Sequence, residues 1–158
     1  MPDIAIARAL HLLAIVLWIG GVAMVTTVLL PAIRRGRPAG ERFALMHMIE
    51  ARFAPQARYA IIVAGASGFY MAYRLDIWSR FGSVRFWWMH AMVLVWVLFA
   101  LMLFVIEPLF LGRFLARRAA EAPEATYRRI EWLHRGLLAL SLITIAGAVA
   151  GIYGVELF

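Results

Sequence analysis

The sequence contains no cysteine and no lysine; all 16 of its basic residues are arginine. Without thiols there are no disulfides, no thiolate metal sites and no cysteine nucleophile, so any metal has to be held by His, Met or carboxylate ligands. Charge is also scarce, at 16% of 158 residues, whereas 65% are hydrophobic and the mean hydropathy is +0.83. Ordinary soluble domains are about 45–50% apolar, and a chain this short has no interior for the excess. The composition predicts a protein embedded in lipid. No phosphate loop, Ser-His-Asp arrangement or zinc-protease motif is present.

Charge-free stretches mark the expected spans. Residues 9–33, 86–106 and 136–155 carry no charge over 25, 21 and 20 positions, and a bilayer core needs roughly 20. Residues 59–73 give only 15, so a second span has to run past Arg58, with that side chain reaching toward the interface. The first run is read as a retained helix rather than a signal peptide, because Asp3 and a lone Arg8 make a poor basic region and the apolar run is too long. The expected fold is an all-α integral membrane four-helix bundle, up-down-up-down, forming one domain over residues 1–158. Its helices fall at about 4–33, 52–75, 85–111 and 130–155, with loops at 34–51 and 112–129. Residues 40–54 read as an interfacial helix or a continuation of the second helix, with Pro55 as a kink.

Arginine placement orients the chain. Arg34, Arg35, Arg37, Arg42, Arg52 and Arg58 follow the first span, and Arg113, Arg117, Arg118, Arg128, Arg129 and Arg135 follow the third. These 12 lie at one end, against Arg8, Arg74, Arg80 and Arg85 at the other. The positive-inside bias puts the two large loops in the cytoplasm and both termini outside, in a bacterial-type inner membrane. The net charge of +7 therefore reads as interfacial anchoring and topology, not as a nucleic-acid footprint. The partners expected are the lipid bilayer and a quinone or redox protein; a homo-oligomer is compatible with the pattern.

A weak 2+2 internal repeat is visible. His11, Trp18 and Pro31 are echoed by His90, Trp96 and Pro108, and Gly68-Phe69-Tyr70 by Gly151-Ile152-Tyr153. A true duplication of this kind starts both halves on the same side. It sets the first and third helices on one diagonal of a bundle and the second and fourth on the other.

Ionisable side chains inside a span are costly and mark sites or partners. His11 and His90 both enter from the outer side at matched depth, so a planar cofactor between diagonal helices would take one axial ligand from each. That geometry suits bis-histidine ligation of a b-type haem. Arg8 and Arg85 lie toward the same interface, where they would neutralise propionates. Gly20, Gly21, Gly65 and Gly68 would permit close helix approach or make room for a ring. His47 and His134, on the cytoplasmic side, form a second candidate axial pair, with surface histidines as the plainer reading. Copper is the rival cofactor: Met46-His47-Met48 and Met89-His90-Ala91-Met92 mix thioether and imidazole, although adjacent helical residues point about 100° apart. Glu50, Glu107 and Glu131 are expected to pair with arginines, with proton transfer a secondary role for Glu107. Trp78, Trp87, Trp88 and Trp132 read as an interfacial aromatic belt.

The run from His11 through Trp18 to Gly20-Gly21, closed by Pro31-Ala32, resembles the first helix of the CopD-like membrane proteins, a family named for copper resistance and uptake. Gly65-Ala-Ser-Gly68-Phe-Tyr70 resembles the corresponding second helix there. The same pattern is similar to the membrane-bound protoporphyrinogen oxidases of the HemJ type. That resemblance implies a haem-ligand role for His11, with Trp18, Gly20, Gly21 and Pro31 as scaffold. HemJ-type first helices end in Pro-Arg, where this chain has Pro31-Ala32. Three functions follow as expectations: b-haem electron transfer across the membrane, copper transport or homeostasis, and a cofactor-free structural subunit of a membrane complex.

Overall fold

The computed structural model describes residues 2–153, leaving aside the side chains of residues 110–113. Within them every regular element is helical. Helix α1 (Pro2–Met24) passes through a π-helical turn, Val25–Leu29, into α2 (Leu30–Gly36) without a break. Helix α3 (Ala39–Arg74) is a single element of 36 residues. Two short 3-10 turns, Trp78–Gly82 and Val84–Phe86, lead into α4 (Trp87–Leu101). A second π stretch, Met102–Leu111, joins α4 to α5 (Gly112–Glu121), and α6 (Pro123–Ile152) completes the chain described. The last expected span was placed at 130–155; its final two residues lie outside the described residues, as does the side chain of Arg113.

Three of these helical stretches are long and apolar enough to cross a membrane: Pro2–Gly36, Val84–Leu109 and Pro123–Ile152. Their outer surfaces carry large apolar side chains with nothing over them, such as Leu12, Leu13, Val16 and Ile143. In water such a surface would be an aggregation site; against acyl chains it is the expected one. Buried hydroxyls bond within their own helix, Thr26 to the carbonyl of Val22 (2.7 Å), Ser141 to Leu137 (2.8 Å) and Thr144 to Leu140 (2.8 Å). No hydroxyl among these three depends on water for a partner.

The stretch expected as a loop at 34–51 is helical apart from the turn at residues 37–38, and most of the one expected at 112–129 lies within α5 and α6. Arg, Glu, Ala and Met are good helix formers, so the helices run on past the apolar zone. Helix α3 is roughly 54 Å long at 1.5 Å per residue, well beyond the ~30 Å of a bilayer core. Pro38 starts α3 after the extended Arg37 (φ −136°, ψ 145°), as the residue before a proline favours. Pro108 sits within the second π stretch, and Pro31 falls in the first turn of α2, directly after the first one. Pro55 is accommodated inside α3 without ending it. That helix stops at Leu75, and Asp76 takes the left-handed conformation (φ 48°) that Asp tolerates better than most residues.

Helix α1 packs along α3, α4 along α6, and α3 and α6 also touch each other. Helices α1 and α4 face one another across that contact and meet through side chains, with Trp18 edge-on to Phe99 at 5.0 Å. Ala14, Ile19, Ala60, Ile61, Ala64, Val95 and Leu138 surround that pair. A second apolar cluster, Val25, Leu30, Ile33, Met46, Tyr127 and Ile130, lies at the arginine-rich end. Close approach depends on glycines that each receive an aromatic ring from a neighbouring helix. Gly21 takes Phe53, Gly65 takes Trp96, Gly147 takes Trp87 and Gly151 takes Trp88. The space expected at Gly21 and Gly65 for helix approach or a ring is thus filled by the protein's own side chains. Trp87 and Trp88 are packing residues as much as interfacial ones, whereas Trp132 and Trp78 are exposed.

Candidate functional site

The four histidines have four different environments. His11 faces α3. Its Nδ1 donates to the carbonyl of Ala64 (2.9 Å), lies 3.1 Å from the Ser67 hydroxyl, and its ring covers Gly68. With the proton on Nδ1, the lone pair is on Nε2. His90 is exposed, with Nε2 2.9 Å from the carbonyl of Phe81 and Nδ1 3.4 Å from that of Phe86. It stands edge-on to Phe81 (5.4 Å) in the turn between α3 and α4. The structure does not bring His11 and His90 together. At about 100° per residue, His90 lies opposite Phe99, which is nine positions on and points into the core. Trp88, not His90, occupies the glycine at 151.

This arrangement does not fit bis-histidine ligation by His11 and His90, because both nitrogens of the second ring are turned to backbone carbonyls on an outer face. Arg8 is exposed, as is Arg85, which is engaged in an interaction of its own. His47 is also exposed and stacks on Phe43 at 5.9 Å, so it is not paired with His134. Nor do the copper candidates converge. Met46 and Met89 are buried, while His47, Met48 and His90 are exposed and Met92 is half-buried. Among the described residues, no three His, Asp or Glu side chains gather as a metal site.

His134 is the histidine with an acidic partner. Its Nδ1 meets the carbonyl of Ile130 (2.9 Å) and its Nε2 meets Oε1 of Glu50 across the α3–α6 contact (3.2 Å). A ring that satisfies both acceptors is an imidazolium paired with a carboxylate. The arginine partner expected for Glu50 is therefore replaced by a histidine. Glu107 does pair with an arginine: Arg58 reaches it at 3.3 Å and donates through Nε to the carbonyl of Leu103 at 3.1 Å. Glu131 is almost fully buried, 3.5 Å from Arg34 and 4.0 Å from Arg135, and its Oε1 accepts no hydrogen bond. At the other end, Arg74 ties Asp3 to the end of α3 (2.8 Å).

Glu50 and His134 line a half-open cavity of about 310 Å³ between α1, α3, α6, the π stretch after α4, and residues of α4 and α5. Trp18, Val22, Phe53, Ala57, Phe99 and Leu137 form its apolar wall, and Glu107 contributes a second carboxylate. It extends from the middle of the first span, at Trp18, to Arg118 and Arg129 at the arginine-rich end. One orphan lies in the wall. The indole N–H of Trp18 is buried and has no acceptor, whereas that of Trp96 donates to the carbonyl of Ile61 at 2.9 Å.

Comparison with known proteins yields nothing. No family model, no curated protein and no solved structure matches the chain. Its site has to be interpreted from its own chemistry. Glu50 was legible in outline: positions 50, 54, 57, 61 and 64 recur at four- and three-residue steps, and the last four are Ala, Ala, Ile and Ala. That stripe is one helix face, and it places Glu50 in line with the core.

Proposed function

We propose that this chain crosses a cytoplasmic-type membrane four times, with both termini outside, and that it binds a lipophilic small molecule in the cavity between its helices. In this reading α3 supplies the fourth span. Its Arg58 is made tolerable by Glu107 and the Leu103 carbonyl, and the four long helices form a membrane bundle. The observation that carries the functional claim is the cavity itself: a largely apolar, half-open space of about 310 Å³ with a histidine–carboxylate pair in its wall and Glu107, Arg118 and Arg129 beside it. Ligand sites are commonly concave and largely apolar, with a few convergent polar groups that orient the guest, and begin at about this size. A molecule dissolved in the arginine-rich leaflet would enter tail or ring first. The Glu50 carboxylate would then offer it an acceptor, both N–H groups of His134 being held by Glu50 and the Ile130 carbonyl.

Native mass spectrometry of the purified protein in mild detergent tests this. Wild type should retain an added or co-purified lipophile. Ala57→Phe and Leu137→Trp, which fill the cavity from opposite walls, should lose it by about 10-fold or more in occupancy while remaining monodisperse. Equal retention by wild type and both occluding variants would rule the cavity out as the binding site.

A second reading, b-haem electron transfer, is favoured by one observation. His11 has its Nδ1 fixed by the Ala64 carbonyl and its Nε2 uncommitted, the arrangement that orients a ligating imidazole. Haem would supply one-electron chemistry at that point. The absorption spectrum decides it: reduced α and Soret bands lost in His11→Ala support haem. A featureless spectrum after expression with added haem removes it.

A further inference from the structure

We infer that the cavity takes an anionic amphiphile, a molecule with an apolar tail and a carboxylate or phosphate head, and that Arg118 and Arg129 at its mouth hold the head. The inference rests on the cavity reading above and deepens it by naming the guest's chemistry. Two observations carry it. The lining is apolar at one end and charged at the other, and its charges do not balance.

The lining runs from Met46 to Ala57 on α3 and from Thr126 to Leu137 on α6, roughly 16 Å along each helix at 1.5 Å per residue. Around Trp18, Ala57, Phe99 and Leu137 it presents only apolar and aromatic side chains. Glu50, Glu107 and His134 stand part-way along, and Arg118 on α5 and Arg129 on α6 stand at the arginine-rich end. The charges part-way along are already matched: Glu50 by His134 at 3.2 Å, and Glu107 by Arg58 at 3.3 Å. A cationic head would have to break one of these pairs to reach a carboxylate.

Arg118 and Arg129 have no such match. Both are exposed, and among the described residues neither forms an ion pair. Glu124, five residues before Arg129, is taken by Arg42. Arg118 lies over the Phe114 ring at 5.5 Å, a contact that leaves the edge of the guanidinium open to an acceptor. Orientation in the membrane calls for arginines at this end of the chain, but not for arginines on the rim of a cavity. Arg117 and Arg128, one position away on the same two helices, are exposed as well and lie outside the lining. A carboxylate or phosphate head supplies the missing charge and matches the guanidinium fork. Its tail fills the apolar end, where burial of hydrocarbon is favourable.

The test is a native mass-spectrometric titration of the full chain in an uncharged detergent. The probes are dodecanoate, dodecyl phosphate and dodecanol, with inorganic phosphate as a head that has no tail. Wild type should bind at least one of the two anions about 10-fold more tightly than the alcohol, the effect of charge-assisted hydrogen bonds; the preferred anion identifies the head. Inorganic phosphate should not displace it. Arg118→Gln/Arg129→Gln should cut anion binding about 10-fold and leave dodecanol binding unchanged. Arg117→Gln/Arg128→Gln removes the same charge from the same helices and should keep wild-type affinity.

Equal affinity for anions and alcohol overturns the inference, as does an equal loss in the two double variants, because diffuse charge acts from either pair; the cavity reading survives both. Displacement by inorganic phosphate makes the site one for a free anion and overturns the inference as well. Binding that is indifferent to Ala57→Phe and Leu137→Trp removes the cavity reading instead. Failure of wild type to bind any tailed probe removes both.

Discussion

Gly65→Leu is expected to unfold the protein in conditions where the wild type is stable. A Cβ at position 65 would stand 2.6 Å from Nε1 of Trp96 and 2.7 Å from two of its ring carbons, closer than a real Cβ comes to its neighbours. The indole is not free to retreat, because its N–H donates to the carbonyl of Ile61 one turn earlier on α3. Relief means either parting α3 from α4 or breaking that bond. Overpacking costs about 1–3 kcal/mol, and a stranded buried donor costs about 1–3 kcal/mol more. Gly20→Leu is the matched control, since a Cβ there meets nothing within 4 Å. Thermal unfolding in detergent should show a clear loss for Gly65→Leu and little change for Gly20→Leu. Equal midpoints would mean that α3 and α4 do not approach through this ring and this glycine.

Glu107→Leu is the second large expected effect. It leaves the Arg58 guanidinium held by one backbone carbonyl, that of Leu103, in a helix that the account places in the bilayer. Removing one partner of a buried pair costs about 3–5 kcal/mol. Both side chains are partly exposed, at 34% and 25%, so a loss of about 2 kcal/mol is expected after screening. The double variant Arg58→Leu/Glu107→Leu should recover most of it, because an apolar pair suits lipid better than a lone cation. The check is a double-mutant cycle read by thermal unfolding. Additive single effects, with no recovery in the double variant, would show that the two side chains do not act as a pair.

How much of this was readable beforehand differs from residue to residue. The all-helical character and the long apolar helices followed from charge-free length, because a backbone in lipid has few other ways to satisfy its polar groups. The inward direction of His11 was readable too. His11 lies seven residues before Trp18, nearly on the same helix face, and Trp18 is in the core. His90 was not. Its expected depth matched that of His11, but depth along the axis does not give direction around it. Trp87 and Trp88 occupy Gly147 and Gly151, and that contact with α6 leaves His90 on the outer face. The continuation of the second helix through 40–54 was one of the two readings the sequence offered; the helical character of 112–129 was obscured for a different reason. Charge marks where the apolar zone ends, not where the helix ends, and arginine-rich sequence is compatible with both. The cavity and the orphan Trp18 N–H depend on three-dimensional packing between four separate stretches of chain, which no spacing rule in one dimension reports.

The central claim is that a lipophile occupies the enclosure between α1, α3, α6 and the stretch after α4. The most direct measurement is photolabelling of the membrane-embedded protein with a decyl-diazirine lipophile, followed by mapping of the labelled residues. Adducts are expected to concentrate on wall residues such as Ala57, Met102 and Leu137, competed by excess unlabelled lipophile and suppressed in Ala57→Phe. Labelling spread only over outward-facing residues such as Leu12, Val16 and Ile143, uncompeted and unchanged by Ala57→Phe, would contradict it.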